Sequence, residues 1–394
     1  MTFVWPSYTD EESQAVSKVL LSNKVNYWTG TECREFEKEF AEFAESRHAI
    51  AVSNGTTALD LALIALEIGE GDEVVVTSRT FLASVSSIVN AGAKPVFADV
   101  SLNSQNITSE SISKVLTDKT KAIICVHLAG WPCDMDPIME LAEKHTLFVI
   151  EDCAQAHGAK YKGRSVGSIG QIGAWSFCQD KIMTTGGEGG MVTTNDRELW
   201  SRMWSYKDHG KSWEAVYERE HPPGFRWVHE SFGTNWRMTE MQGAIGRVQL
   251  KHLSDWSAKR LANANEIWKV ARHLKGLRVP ELKCFGCEGG CNYTNGCVHA
   301  AYKCYVFVDG SEYDRDKILS GIIGRGVPCF PGTCSEVYLE KAFDETAIRP
   351  KKRLPNAKRL GETSLMFLCH PTLTKDEIKM MCDVLIEVVS NHFS

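Results

Sequence analysis

LFVIEDCAQAH, residues 147–157, joins an uninterrupted apolar run to a pair of carboxylates. An apolar run without polar alternation is typical of a strand that is covered on both faces of a parallel sheet. Asp152 would then stand at the carboxyl end of that strand, where open α/β sheets bind their ligands. A carboxylate buried at such a place needs a cationic partner. That partner is either a structural Lys or Arg or a positively charged ligand.

Short apolar runs of this kind alternate with helical stretches in the first half of the chain. Such alternation predicts crossover connections and an α/β fold, with a mainly parallel seven-stranded sheet flanked by helices. The expected strands are Ala49–Ser53, Glu73–Thr77, Lys94–Asp99, Ala122–Val126, Leu147–Glu151, Ala174–Phe177 and Gly190–Thr194. The C-terminal part mixes strand-like and helical runs, which predicts a smaller α/β domain.

The predicted domain organisation has four parts. They are an N-terminal arm at 1–30, a large domain at 31–250, a connecting helix at 251–275 and a small C-terminal domain at 276–394. The apolar spacing predicts a long amphipathic helix from about Thr239 to Leu274, with 253–254 as a candidate break. A shorter helix between the first two strands should end at Gly69. Segment 209–233 is predicted to be a long loop.

The composition excludes several classes of protein. A net charge of −6 over 394 residues gives no footprint for nucleic acid or for an anionic membrane surface. No apolar run approaches the roughly 18 residues that span a bilayer, and the N-terminal residues lack the pattern of a secretory signal. Fourteen cysteines in such a chain predict reduced thiols and a cytoplasmic location.

Two residues that follow segment 147–157 indicate which ligand Asp152 would bind. Ser176 closes the next apolar strand, and Lys181 comes five residues later. A lysine by itself is usually a solvated surface group. In register with Asp152 and Ser176, however, it completes the set that holds pyridoxal phosphate. The Asp would keep the pyridine nitrogen protonated, the Ser would bind the phosphate, and the Lys would form the Schiff base.

Other segments supply the remaining contacts. Gly55, Thr56 and Thr57 follow Asn54 between a strand and a helix, where they form either a helix N-cap or a cup for an anion. Together with a serine such as Ser176, the cup is the favoured interpretation. Elsewhere, Phe81 can stack on a pyridine ring, as any buried Phe can. Gln155 can donate to the phenolic oxygen of the cofactor.

With these residues in place, the chain resembles the DegT/StrS-type sugar aminotransferases, a branch of the fold-type I pyridoxal phosphate enzymes. The resemblance runs from about Val25 to His273 and continues more loosely to the C-terminus. It rests on the segments Asn54–Thr56, Gly69–Val74, Glu151–Gln155, Ser176–Lys181, Gly187–Gly190 and Gly233–Met238.

The resemblance implies Lys181 and Asp152 as the catalytic residues. It implies a cofactor site built from Gly55, Thr56, Thr57, Phe81, Asp152, Gln155, Ser176, Lys181 and Asn235. Asn235 would reach the phosphate of the neighbouring subunit, which implies a homodimer with shared active sites. One branch of the family carries histidine in place of the lysine and performs dehydration, so Lys181 favours transamination. The chemistry needs no metal.

The implied reaction moves an amino group from L-glutamate to a keto-sugar in amino-sugar biosynthesis. Segment 330–340 is similar to enzymes that aminate C8 of an oxidised octulosonic acid, giving 8-amino-3,8-dideoxy-manno-octulosonate for lipopolysaccharide. The alternative acceptor is a nucleotide-linked 4-keto-6-deoxy sugar, and a remote alternative is a sugar dehydratase. An acidic sugar would require a cationic contact, for which the candidates are Arg237, Arg325, His209 and His299.

Segment 283–297 departs from the family pattern. Cys284, Cys287, Cys291 and Cys297 are close enough in sequence to hold zinc. Their spacing does not form the usual pair of CxxC knuckles, so a surface loop with reduced thiols is the competing interpretation.

Overall fold

The computed structural model of the chain describes residues 4–281, 296–310 and 314–392. Its strands are β1 His48–Val52, β2 Glu73–Thr77, β3 Lys94–Ala98, β4 Thr120–Val126, β5 Phe148–Asp152, β6 Lys160–Tyr161, β7 Arg164–Ser165, β8 Ile172–Ser176, β9 Gly190–Thr194, β10 Leu277–Arg278, β11 Cys304–Val308, β12 Cys329–Phe330 and β13 Ser364–Phe367. Its α-helices are α1 Asp10–Ser22, α2 Glu32–Phe43, α3 Gly55–Ala65, α4 Ala83–Asn90, α5 Ser109–Ser113, α6 Met135–His145, α7 Arg197–Tyr206, α8 Trp213–Tyr217, α9 Glu240–Ala271, α10 Arg315–Ile323, α11 Pro355–Thr363 and α12 Lys375–His392.

The large sheet has seven strands in the order β1-β9-β8-β5-β4-β2-β3. The neighbours from β8 to β3 run parallel, whereas β9 is antiparallel to both of its partners. The predicted mainly parallel α/β sheet is therefore confirmed, and each expected strand lies within two residues of an observed one. Strands β2, β8 and β9 are buried along their whole length, as their apolar sequences require.

Helix α3 connects β1 to β2 and begins directly at the sheet edge. Asn54 is its N-cap and accepts a hydrogen bond from the Thr57 N–H at 2.9 Å, while the Asn54 N–H donates to the Thr57 hydroxyl. This reciprocal capping box satisfies two backbone donors and fixes where the helix starts. The helix ends at Ala65, earlier than the predicted Gly69.

Helix α9 spans 32 residues without a break, so the expected interruption at 253–254 was wrong. Leu253 is fully buried, and the helix packs on α1 and α2 near its start and on α12 and β11 farther along. Burial on several neighbours outweighs the weak local helix propensity of the serine that follows Leu253. At 1.5 Å per residue the helix is about 48 Å long, and it links the large sheet to the second one.

The second sheet is antiparallel, with the order β10-β11-β13-β12. It lies in the predicted C-terminal domain, where α9, α10 and α11 pack against its strands and α12 packs on α9 and α10. Among the described residues, no helix combines the length and the apolar composition needed to cross a membrane. Segment 209–233 is not entirely loop, because it contains the short helix α8. Cys284, Cys287 and Cys291 lie outside the described residues.

Glu151, next to Asp152 on β5, anchors the strand end that carries the site. Its carboxylate accepts hydrogen bonds from the N–H groups of Gly167, Ile169 and Gly170 at 2.7–2.9 Å. His127 Nδ1 accepts from the backbone, so its Nε2–H is free to donate to Glu151 at 3.0 Å. Burial opposes ionisation, but these donors outweigh it and lower the pKa of Glu151.

We expect Glu151→Gln to destabilise the fold. In the wild type, every donor around Glu151 meets a carboxylate oxygen, whereas in the variant some of them would face the N–H₂ group of the amide, which is itself a donor. The expected loss is about 3 kcal/mol in the free energy of unfolding, which is typical of breaking a buried charged network. Urea unfolding of the cofactor-free protein measures it. Because the folded-state pKa of Glu151 is lowered, its contribution is present above the unfolded pKa of about 4.3. The difference from wild type should shrink as the pH falls through the folded-state pKa.

The exposed Glu143 on α6 provides a matched control. Glu143→Gln should change the free energy of unfolding by less than about 0.5 kcal/mol. Equal unfolding free energies for the Glu151 variant and wild type at neutral pH would contradict the anchoring role.

Candidate active site

A cleft of about 670 Å³ opens at the carboxyl edge of the large sheet. Strands β4, β5 and β8 end there, and α3 begins there. Eight of the nine predicted site residues line this cleft; they are Gly55, Thr56, Thr57, Phe81, Asp152, Gln155, Ser176 and Lys181. The structure therefore gathers residues that are more than 100 positions apart in the sequence into one site.

Asp152 is buried at the cleft floor, where its carboxylate has two hydrogen-bond donors. The Ser84 hydroxyl donates to Oδ2 at 2.7 Å, and the Ala154 N–H donates to Oδ1 at 3.1 Å. Burial raises the pKa of Asp152, and these two bonds act in the opposite direction. No described residue forms an ion pair with it. A buried carboxylate that faces a cleft and has no ion-pair partner suits a positively charged ligand.

Lys181 is mostly buried in the same cleft, and its backbone is fixed on both sides. Its N–H donates to the Cys178 carbonyl, and its own carbonyl accepts from the Trp5 indole at 2.7 Å. The amine lies 3.6 Å from an Asp180 oxygen and 5.2 Å from the centre of the Tyr302 ring. Both neighbours stabilise an ammonium group, and they hold the amine at the cleft instead of in bulk water.

Gln155 has a fixed amide orientation. Its oxygen accepts the Ala129 N–H at 2.8 Å, so its nitrogen faces the cleft, where it lies 3.7 Å from the Cys334 sulfur. A strong acceptor in the cleft, such as a phenolate oxygen, would be a better partner for this N–H₂ group than a thiol is.

The start of α3 forms an anion cup with Ser176. Thr57 lines the cup, but both its N–H and its hydroxyl already donate to Asn54. The Thr56 hydroxyl has no partner among the described residues and is exposed to the cleft. A Cβ on Gly55 would lie 2.5 Å from the Ser176 Cβ, so only glycine allows this close approach. The cup thus offers free N–H groups at a helix N-terminus together with two hydroxyls.

Phe81 and Asn235 occupy different positions relative to the cleft. Phe81 projects into it with 66% of its surface exposed, which leaves one ring face free for stacking. Asn235 is also exposed but does not line the cleft of its own chain. The loop that carries it is held by the backbone pairing of Asp208 with Asn235.

Taken together, these groups fit pyridoxal phosphate. The Asp152 carboxylate, which has no ion-pair partner, suits the protonated pyridine nitrogen, and the N-terminus of α3 suits the phosphate. The amide suits the phenolic oxygen, the aromatic ring suits the pyridine face, and the amine suits the aldehyde.

Several residues that line the cleft were not singled out from the sequence; they are Thr80, Ser84, Asp180, Glu188 and Tyr302. Thr333 and Cys334 also line it, and they belong to segment 330–340, which the resemblance linked to the acceptor. Ser84 follows Phe81 by three residues, so a search for hydroxyls one helical turn from the stacking residue would have found it. Tyr302 comes from the C-terminal part of the chain, and no local pattern marks it.

The four cationic candidates for an acidic sugar lie elsewhere. Arg237 pairs with Asp208 at 2.6 Å, and Arg325 pairs with Glu387 at 2.9 Å. His299 is fully buried against the ring of Trp131, and His209 is exposed on its loop. None of the four lines the cleft formed by the described residues.

Comparison with known proteins assigns the chain to a family. Residues 6–386 match the DegT/DnrJ/EryC1/StrS aminotransferase family. The GDP-perosamine synthase of Escherichia coli O157:H7 is 44% identical over 394 residues, covering 98% of each chain. The enzyme of the same name from Caulobacter vibrioides is 46% identical over 362 residues, covering 90% of this chain and 89% of the relative.

A solved structure agrees with this assignment. The aminotransferase from Psychrobacter cryohalolentis is 64% identical, has a TM-score of 0.94 and covers 99% of both chains. The chain belongs to the DegT/DnrJ/EryC1/StrS aminotransferase family and is a sugar aminotransferase that depends on pyridoxal phosphate.

Proposed function

We propose that the chain transfers the amino group of L-glutamate to the ketone of a nucleotide-linked 4-keto-6-deoxy sugar. The observation that carries the transamination is the cleft itself, in which Lys181 and the unpaired Asp152 carboxylate face one space. The acceptor is proposed from the two relatives that share 44% and 46% of their aligned residues with this chain, both named GDP-perosamine synthase. Other relatives carry the names of dTDP- and UDP-linked sugars.

The octulosonate acceptor suggested by segment 330–340 receives no support from these relatives. In the structure, Thr333 and Cys334 of this segment line the cleft, whereas Glu336 is bound by Arg353 and Tyr338. The segment therefore helps to form the part of the cleft that would bind the acceptor. It contains no cationic side chain, however, that could bind the carboxylate of an octulosonate. The nucleotide-linked alternative fits better.

In this proposal Asp152, Gln155, Ser176, Gly55 and Thr56 hold the cofactor. Phe81 covers one face of the ring, and Thr57 supports the cup through its cap. When bound, pyridoxal phosphate supplies a protonated ring that withdraws electrons from the carbon that loses its proton. The Asp152 carboxylate keeps the ring nitrogen protonated by offering it a buried negative partner.

Lys181 moves the proton. With the cofactor bound, its Nζ would take the proton from the donor's Cα as a general base and return it to C4′ of the cofactor as a general acid. Asp180 and the Tyr302 ring, both next to Nζ, stabilise the ammonium form between these two events. The 2-oxoacid then leaves, and the sugar ketone enters the same cleft for the reverse sequence. One cleft therefore serves both substrates in a ping-pong order.

We also propose that two copies of the chain form a homodimer with shared sites. Phe225, Trp227 and Phe232 are 76%, 79% and 98% exposed on the segment that leads to Asn235. Such an apolar surface is typical of a protein interface. If a partner covered it, Asn235 would face the partner's cleft rather than its own.

The cytoplasm is the proposed location, and a surface polysaccharide is the proposed destination of the amino sugar. Apart from Cys297, the ten cysteines among the described residues are free thiols, most of them buried. Reducing compartments keep thiols in this form.

The proposed function is tested with a panel of keto-sugars and glutamate labelled with heavy nitrogen. A nucleotide-linked 4-keto-6-deoxy sugar should gain the label, as seen by mass spectrometry, and Lys181→Ala should abolish the transfer. Label on oxidised octulosonic acid alone would overturn the acceptor assignment. A product that has lost water and gained no label would indicate the dehydratase instead.

Replacement of Asp152 should weaken cofactor binding. For Asp152→Asn we expect a loss of about 3 kcal/mol, roughly 100-fold in the dissociation constant, because a charged partner of the ring nitrogen is removed. Ser84→Ala should cost only about 1 kcal/mol, because it removes one hydrogen bond to the same carboxylate. Titration of the apo-protein with pyridoxal phosphate, followed by visible absorbance, measures both. Wild-type affinity in the Asp152 variant would refute its assignment.

A mixing experiment tests the shared sites. Lys181→Ala and Asn235→Asp chains, carrying different tags, are co-expressed, and the mixed dimer is purified. If Asn235 acts across the interface, one site of the mixed dimer has both native residues and should recover about half of the wild-type turnover. Asn235→Asp alone should retain less cofactor, whereas the exposed Asn103→Asp should behave like wild type. If Asn235 acts within its own chain, the mixture recovers nothing.

A further inference from the structure

A second pocket, which we call the arginine pocket, lies behind one wall of the cleft. Its volume is about 90 Å³, and its polar or aromatic lining consists of Trp5, Asp180, Arg260, Tyr302, Lys303 and His370. Asp180 and Tyr302 line the cleft as well, so the two spaces share a wall. Of the residues predicted from the sequence to hold the cofactor, Lys181 contacts this lining, through Trp5 and Asp180.

Arg260 is the group that makes this pocket unusual. It projects from α9 with only 2% of its surface exposed. Its Nη1 donates weakly to the Tyr302 carbonyl at 3.4 Å, while Nε and Nη2 have no hydrogen-bond partner. The Trp5 ring lies over the guanidinium at 4.6 Å. No described carboxylate forms an ion pair with it, and leaving such donors unpaired in a protein interior is costly.

Lys303 adds a second cation to the pocket. It is partly buried and forms no ion pair with any described residue; its amine lies 4.8 Å from the centre of the Tyr302 ring. Burial lowers the pKa of Lys303 and lowers that of Arg260 to about 10, which leaves Arg260 charged at neutral pH.

The other groups in the pocket do not neutralise this charge. Burial lowers the pKa of His370 to about 4, so its ring is neutral at pH 7. Thr372 donates its proton to the Val4 carbonyl, so His370 Nδ1–H donates to Thr372 and Nε2 is left as an acceptor. The Asp180 carboxylate already accepts the Tyr302 hydroxyl and lies beside Lys181. The arginine pocket thus carries excess positive charge, with its unused donors on Arg260 and Lys303.

We propose that the arginine pocket binds the carboxylate of a substrate whose reacting end lies in the cleft beside Lys181. This inference rests on the proposed function and names a recognition site for it. The pocket volume of about 90 Å³ accommodates a carboxylate but not a nucleotide. Two sources share this chemistry: the amino donor, which is an acidic amino acid, and an acidic sugar acceptor.

Separate half-reactions distinguish the two sources. Arg260→Met keeps the apolar stem and removes the charge; Lys303→Met does the same at the second cation. We expect the concentration of glutamate that half-saturates the donor half-reaction to rise tenfold or more in each variant. The maximal rate and the bound cofactor per chain should change less than twofold. Arg260→Lys should recover part of the affinity, and Arg272→Met, an exposed arginine one residue past the end of α9, should match wild type.

Each outcome of the half-reaction measurements either identifies the occupant of the pocket or overturns the proposal. A raised requirement for glutamate supports the pocket with the amino donor as its occupant. A raised requirement for an acidic acceptor alone supports the pocket with the sugar as its occupant. Unchanged half-saturation for both substrates in folded, cofactor-loaded variants overturns the proposal. If Arg260→Met does not fold, Lys303→Met decides by the same criteria.

A direct binding measurement remains valid even if the proposed transamination is not observed. Crystals of the wild-type protein soaked in sodium bromide should show anomalous density for bromide at the Arg260 guanidinium, and crystals of Lys303→Met should show less. Absence of bromide from the wild-type pocket overturns the anion site. If bromide is present and no substrate is turned over, the proposed function fails while the anion site stands.

Discussion

The site depends on a buried carboxylate, that of Asp152, which has no ion-pair partner among the described residues. Strand β5 ends in two carboxylates, and because successive side chains point to opposite faces of a strand, they meet different surroundings. Glu151 turns to a face where His127 and three N–H groups satisfy it. Asp152 turns to the cleft with only Ser84 and Ala154 as donors. The first carboxylate fixes the strand end, and the second is thereby held ready for a cationic ligand.

The strands of the large sheet could be predicted because a strand that is buried on both faces consists of a continuous run of apolar residues. The site residues next to strand ends, such as Asp152 and Ser176, followed from the same argument, since parallel strands end at one edge. Tyr302, which reaches the cleft from beside the second sheet, could not be predicted in this way. It is positioned by the packing of α9 against β11, which no local pattern records. Cys334 belongs to segment 330–340, which a resemblance linked to the acceptor without identifying the individual residues that line the cleft.

The start of α3 is both a helix N-cap and part of an anion cup, the two interpretations that the sequence left open. Asn54 and Thr57 use their polar groups on each other as a capping box. This arrangement frees Gly55 and Thr56 to face the cleft and holds the helix end against Ser176. The cap is therefore what presents the anion cup. A sequence pattern cannot separate these roles, because they differ only in the direction in which each group points.

Charge is distributed unequally across the wall that separates the cleft from the arginine pocket. The Tyr302 ring has Lys181 on the cleft side at 5.2 Å and Lys303 on the pocket side at 4.8 Å. Burial opposes ionisation of Asp180, but Lys181 and the Tyr302 hydroxyl outweigh it and lower its pKa. An ionised Asp180 steadies the Lys181 ammonium and lines the arginine pocket as well. In that pocket two cations, Arg260 and Lys303, face this one carboxylate, and Arg260 has donors without partners, so a substrate carboxylate can be stabilised there.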